Sequence, residues 1–224
     1  RRAASAAEII SRYIDNYSFD IMTGIPSQTM ESLKHTLDTA FSLNPSHLSC
    51  YSLIIEEGTE FYRLYEENKL NQPDEDTDRE MYHFLCAYLE ENGYNRYEIS
   101  NFTKNNRQCR HNLKYWSCDE YIGIGAAAHS YLNSERFFNT KSINEYISGN
   151  MQAGSEHISE NDKISEFIIM GLRKTEGIST ELFKSRFGKD IFSLFGDTVQ
   201  KFITGGFLEE RDGFLRLTGI GTDV

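Results

Sequence analysis

Two apolar runs flank one amphipathic stretch early in this chain, and that order constrains the fold more than any other feature. Residues 17–26, YSFDIMTGIP, are a β-rich run that ends at Gly24 and Pro26, residues that convert a strand into a loop. Residues 27–44 place Met30, Leu33, Leu37, Ala40 and Phe41 at helical spacing, and Pro45 marks the end of that stretch. Residues 47–55, HLSCYSLII, are again an apolar run of strand length. Strand, helix and strand in immediate succession form a βαβ unit. Such a crossover joins parallel strands, so an α/β class follows.

The rest of the chain extends this pattern and then leaves it. Ser5–Tyr13 reads as a short helix with Ser5 at its N-cap. Residues 59–70 read as a second short helix and 72–78 as an acidic loop. Residues 78–93 read as an amphipathic helix capped by Asp76 or Thr77 and stopped by Gly93. Residues 94–100 alternate like a strand, and 101–112 are polar without a period, as in a loop. Residues 121–132, YIGIGAAAHSYL, form a strand or close-packed turn that only small residues permit. Beyond about residue 150 the character changes. A helix over 160–177 carries Ile164, Phe167, Ile168 and Leu172 on one stripe. A helix over 179–188 closes on Gly188, and a third over 190–206 is interrupted by Gly196. Residues 207–218 are two strands around Asp212-Gly213, a hairpin signal. Three helices and a hairpin suggest a small winged-helix-like domain over 151–224, after a larger part over 1–150.

Composition narrows the classes. With 34 acidic and 23 basic residues the net charge is -11, which disfavours generic binding to nucleic acid or an anionic membrane. There is no apolar run long enough for a transmembrane helix and no signal-peptide pattern at the start. The chain also lacks an initiator Met, so it is expected to begin inside a longer protein. Cys50, Cys86, Cys109 and Cys118 fit no CxxC or zinc spacing. A reducing, cytoplasmic setting fits them best. GxSxG, HExxH and Walker A motifs are absent, and GIGAAA lacks the third Gly of a dinucleotide fingerprint.

Three places carry chemistry. The stretch 109–116, CRHNLKYW, holds Cys109, His111, Asn112, Tyr115 and the only Trp of the chain, Trp116. His111 imidazole or Cys109 thiolate is a possible axial ligand to haem iron, and Tyr115 and Trp116 can pack on a flat macrocycle. The other reading is a Trp-anchored segment whose His111 and Asn112 bond the backbone. Asp20, inside an apolar strand, either receives hydrogen bonds from ligand hydroxyls or caps the following loop. A lone His129 after GIGAAA is more often a satisfied core group than a ligand.

The same residues bear a resemblance. FDIMTGIPSQT, NPSHLSCYSLIIEEGTEFYRLYE, PDED, GYNRYEISNF, CRHNLKYW and YIGIGAAAHSYL are similar, in order and spacing, to segments of the oxygen-independent coproporphyrinogen III oxidase-like family of radical S-adenosylmethionine (SAM) proteins. The likeness runs over about 17–147, and 160–218 resembles the family's winged-helix-like end. The HNxxYW pattern is similar to that of the haem chaperone branch. The resemblance implies the C-terminal part of a partial (β/α)6 barrel with parallel strands and crossover helices. It implies a parent protein that uses SAM and a [4Fe–4S] cluster, binds haem and delivers it to a target protein. It implies SAM contacts at Asp20, Ile54 and His129, and a haem-contact segment of Cys109, His111, Asn112, Tyr115 and Trp116 with His111 as iron ligand. The CxxxCxxC motif that ligates the family's cluster is absent, so SAM cleavage by this chain alone is not expected. The rival enzyme reading is a coproporphyrinogen III oxidase, which decarboxylates two propionates oxidatively. A winged-helix nucleic-acid-binding module is a third reading, opposed by the acidic charge.

Overall fold

The computed structural model describes residues 2–223, which pack as two compact units, 1–108 and 109–224. The change in sequence character near 150 therefore falls inside the second unit, at the start of a strand rather than between the units.

The first unit holds α1 (Arg2–Ile10), β1 (Ser18–Thr23), α2 (Met30–Ser42), β2 (His47–Ser52), α3 (Glu60–Glu66), α4 (Glu75–Glu91), β3 (Asn95–Arg96) and β4 (Asn101–Thr103). The βαβ expectation holds: β1 and β2 are parallel, with Asp20 opposite Ser49 and Thr23 opposite Ser52. The sheet, in order β1-β2-β4-β3, is antiparallel beyond β2, which corrects the all-parallel expectation. A short turn between β3 and β4 leaves no length for a crossover. The expected strand over 94–100 is thus two short strands, and the expected loop over 101–112 begins with β4. One sheet face is apolar. There Ile21, Leu48, Cys50 and Phe102 pack on Leu33 and Leu37 of α2 and Met81, Leu85 and Leu89 of α4. The period of these helices produces that packing.

Helix starts follow side-chain caps. Thr29 caps α2 in a reciprocal box with Ser32. Asp74, not Asp76 or Thr77, caps α4, its carboxylate accepting from the Thr77 amide at 2.8 Å. The helix starts earlier than its apolar stripe because its first turn carries Glu75, Asp76 and Asp78, which suit a helix N-terminus. Ser5 lies inside α1 rather than at its cap.

The second unit holds α5 (Arg110–Trp116), β5 (His129–Leu132), β6 (Glu135–Asn139), α6 (Ile143–Ile147), β7 (Gln152–His157), α7 (Glu160–Leu172), β8 (Ile178–Ser179), α8 (Thr180–Phe187), α9 (Ile191–Thr204), β9 (Leu208–Arg211) and β10 (Phe214–Leu217). Strands β5, β6 and β7 form an antiparallel sheet, and β8, β10 and β9 form another. The second sheet and helices α7 to α9 enclose a core that includes Ile164, Phe167, Ile178, Phe183, Ile191 and Leu215. Ser159 and Ser179 cap α7 and α8. Gly188 ends α8 in the left-handed region at φ 65°. The break expected at Gly196 is a distortion at Phe195, φ -129°. Asp212 and Gly213, at φ 54° and 79°, make the two-residue turn between β9 and β10. Among the described residues no helix is long and apolar enough to cross a membrane.

Candidate functional site

The CRHNLKYW stretch is not a loop: Cys109 occupies the N-cap position and 110–116 form α5. Residues four apart share a helix face. His111 and Tyr115 share one face, and both are exposed. Their rings meet edge-on, centroids 5.0 Å apart at 85°, and Tyr115 meets Tyr121 at 4.7 Å. Asn112 and Trp116 share another face and are half-buried. The Trp116 ring lies under the guanidinium of Arg173, 4.6 Å from the ring centre, a cation–π contact. Its indole N–H is buried without a hydrogen-bond partner among the described residues. The two readings of this stretch therefore apply to different faces. Trp116 is turned toward Arg173, on a different face of the helix from His111. His111 and Tyr115 face outward and remain open to a ligand.

The turn that follows α5 is clamped. Arg186 of α8 donates to the Ser117 carbonyl at 2.6 Å and to the Asp119 carboxylate at 3.2 Å. Cys118 sits in this turn at φ 50°, half-buried against the helical core, and burial pushes its thiol up. Beside it lies a polar cleft of about 600 Å³ lined by Asp119, Tyr131, Lys163, Glu166 and Arg186 among others. Its charges are largely engaged: Glu166 takes both hydrogen bonds of Arg136 Nη2 at 2.8 Å, and Lys163 bonds the Ser134 hydroxyl.

The Gly-Ala segment is mostly turn rather than strand. It is stitched by an isolated bridge between Tyr121 and Tyr131 and by the Gly123 amide donating to the Ser130 hydroxyl at 3.0 Å. A Cβ at Gly123 would stand 2.2 Å from the His129 carbonyl oxygen, so glycine is required there by close approach. His129 opens β5 and is exposed, its ring stacked on Phe138 of β6 at 5.3 Å and 26°.

Asp20 and Ile54 belong to the first unit. Asp20 is exposed on the sheet face opposite the core, with Met22 and Tyr51 exposed further along that face. Ile54 is 76% exposed just after β2. On this face His47 is buried, its Nε2 2.8 Å from the Tyr97 hydroxyl, and burial lowers its pKa. Sequence reasoning missed this pair, because a His at a strand start carries no periodic signal. It also missed Arg173 and Tyr121, which reach α5 only through the fold.

Comparison with known proteins accords with this picture. Residues 158–223 match the HemN C-terminal domain family. Heme chaperone HemW of Bacillus subtilis (strain 168) is 35% identical over 212 residues, covering 92% of this chain and 56% of that protein. Heme chaperone HemW of Lactococcus lactis subsp. lactis is 32% identical over 213 residues, covering 94% and 56%. A radical S-adenosyl methionine domain-containing protein 1, mitochondrial, of Danio rerio is 30% identical over 225 residues, covering 91% and 50%. The coproporphyrinogen III oxidase (HemN) of Escherichia coli, described as a radical SAM enzyme, superposes with a TM-score of 0.77 at 15% identity, covering 98% of this chain and 55% of that one. That likeness shows the fold: a mixed α/β chain matching part of the HemN radical SAM fold. The chain is similar over most of its length to coproporphyrinogen III oxidase-like radical SAM proteins. Within them its sequence relatives are the proteins named heme chaperone HemW, and it spans about half their length.

Proposed function

We propose that the chain is the C-terminal part of a radical SAM haem chaperone that binds haem and passes it to a target protein. The observation that carries this is the outward face of α5, where His111 stands exposed beside Tyr115 and Tyr121. An exposed imidazole is a suitable axial donor, and flanking aromatic rings suit a flat apolar macrocycle. Cys109, Asn112 and Trp116 complete the segment. Cys109 is the alternative ligand, and Trp116 supports the helix from within.

On this reading the first-unit sheet is the closing part of a partial (β/α)6 barrel. Residues 1–150 then carry the barrel and haem segment, and 151–224 are a winged-helix-like end. In the parent protein the Asp20 carboxylate accepts hydrogen bonds from bound SAM, Ile54 lies against it, and His129 lies beside a further contact. SAM with its cluster supplies radical chemistry when both are bound. The four thiols here do not fit the cluster. Cys50 is buried, and that burial pushes its thiol up. Among the described residues no group of three or more His, Cys, Asp or Glu is placed to hold a metal ion. A cytoplasmic setting accords with four cysteines that form no disulfide among the described residues. The oxidase reading has behind it a fold likeness and the HemN C-terminal domain match over 158–223, whereas the sequence likeness over nearly the whole chain is to proteins named heme chaperone.

The test is a haem titration of the chain and of its intact parent. His111→Ala is expected to abolish or shift the Soret band. Cys109→Ala is expected to leave it in place, and Trp116→Ala to weaken binding without changing the ligand spectrum. An unchanged titration in His111→Ala of the intact parent overturns the assignment.

A further inference from the structure

A cleft of about 420 Å³ opens in the first unit where the chain enters its two parallel strands. Its walls come from the linker before β1 (Asp15, Tyr17), the connection before β2 (Asn44, Ser46) and the segment after β4 (Lys104, Arg107). It thus lies at the opposite end of β1 and β2 from Ile54, and it stands apart from every residue assigned above.

Two cations converge on this cleft. Arg107 Nη1 donates to the Asp15 backbone carbonyl at 3.4 Å and to the Ser46 hydroxyl at 3.3 Å. The Ser46 hydroxyl itself donates to the same Asp15 carbonyl at 3.0 Å. Lys104 Nζ donates to Asn44 Oδ1 at 3.3 Å and rests 4.3 Å from the centre of the Tyr94 ring. That ring is fixed in turn, because the buried Tyr94 hydroxyl donates to the Pro45 carbonyl at 2.8 Å. Every one of these acceptors is neutral. Among the described residues neither cation forms an ion pair, although Asp15 lines the cleft. Elsewhere in this acidic chain Arg63, Arg136, Arg186 and Arg216 each meet a carboxylate. Both cations line the same cleft, and their long bonds to neutral oxygens leave most of their donors unused. A guanidinium has five N–H donors in a fork that matches an oxyanion, and an ammonium has three.

We propose that this cleft binds the oxyanion group of a small molecule, a phosphate or a carboxylate, between Lys104 and Arg107. Both cations are already held in place by neutral contacts, so little side-chain ordering remains when the anion arrives. The anion supplies the charge that the surrounding protein withholds, and its hydrogen bonds are charge-assisted.

The experiment titrates inorganic phosphate, citrate and chloride into the 224-residue chain at matched ionic strength, read by backbone amide NMR. Phosphate is expected to shift the amides of 44, 46 and 104–107 saturably, with chloride leaving them unmoved. Equal shifts with citrate assign the cleft to oxyanions in general, and shifts with phosphate alone assign it to phosphoryl groups. Lys104→Gln and Arg107→Gln should each weaken phosphate binding by about tenfold or more, and Arg107→Lys by less. The proposal is overturned if neither phosphate nor citrate moves these amides more than chloride does, or if both Gln variants bind like the original chain. Lys104 packs on Tyr94, so an unfolding scan accompanies its variant. If that variant fails to fold, the exposed Arg107→Gln decides alone.

Discussion

Asp20 and His111 are presented in opposite ways. Asp20 stands on a strand whose other face, at Phe19 and Ile21, is packed against a core shared by two long helices. His111 stands on a seven-residue helix with no fully buried side chain. So short a helix is unstable by itself. Its position depends on Trp116, on the Arg173 contact above it and on the Arg186 clamp at its end. A sheet fixes a functional side chain collectively, through many apolar neighbours. A short helix fixes it through one or two contacts, which can be removed singly.

The largest effect is therefore expected from the collective side. Leu37 is fully buried between sheet and helix. Leu37→Ala should cost about 2–5 kcal/mol, the transfer term plus the cavity. Asp20→Ala, on the exposed face of the same sheet, should change stability by less than about 0.5 kcal/mol. Urea unfolding of the two variants checks the contrast, which breaks if Leu37→Ala leaves the midpoint unmoved.

The single-contact side is sharpened by Trp116. This ring is only half-buried, so Trp116→Ala should cost less than a core aromatic, about 2 kcal/mol. Its local consequence should be larger than that figure suggests. Amide exchange across 110–116 should accelerate well beyond exchange in α7, whose Ile164 and Phe167 stay in the core. His111→Ala, made on the exposed face, should leave both exchange and stability near their original values. Equal acceleration in α5 and α7 would mean that α5 has no separate anchorage.

What the residues revealed beforehand divides along the same line. The strand–helix–strand order, α7 with its stripe, α8 with its Ser179 and Gly188 ends, and the Asp212-Gly213 turn were all legible, because long periods and strong turn residues are local signals. The helix at α5 was not legible, because Cys109 is a poor cap residue and seven residues give under two helical turns. The β5–β6 hairpin was missed for a similar reason. Asn133 and Ser134 make its turn at φ 51° and 68°, and a Ser in that second position lacks the usual glycine. Strand β4 has only three residues and pairs with β2 between residues as far apart as His47 and Thr103, which no period reports. Candidate site residues could be named from the sequence, but which face each presents could not. Both readings of Trp116 stayed open in the sequence, because its contact Arg173 lies far away along the chain.

The smallest expected effect compares the units through matched caps. Asp74 begins α4 in the first unit, and Asp162 completes the capping box of α7 in the second. Hydrogen bonds from Thr77 hold the Asp74 carboxyl below its usual value, and bonds from the Ser159 hydroxyl and amide do the same for Asp162. A carboxyl depressed in the folded state binds its proton less readily there than in the unfolded chain. Its contribution is therefore complete above the unfolded value, about 3.9, and is lost as pH falls through the lower folded value. Asp74→Asn and Asp162→Asn should each flatten the acid limb of the stability profile while changing little at pH 7, since Asn still caps a helix at 74 and its amide oxygen can still accept from Ser159 at 162. Both carboxylates are exposed, so the changes should be small and should shrink further in salt. Amide signals of Thr77 and Ser159 followed from pH 6 to pH 2 give the readout. Each variant should remove the titration step from its own unit and leave the other's intact. A step that survives in the substituted unit would mean that some other carboxylate governs its acid sensitivity.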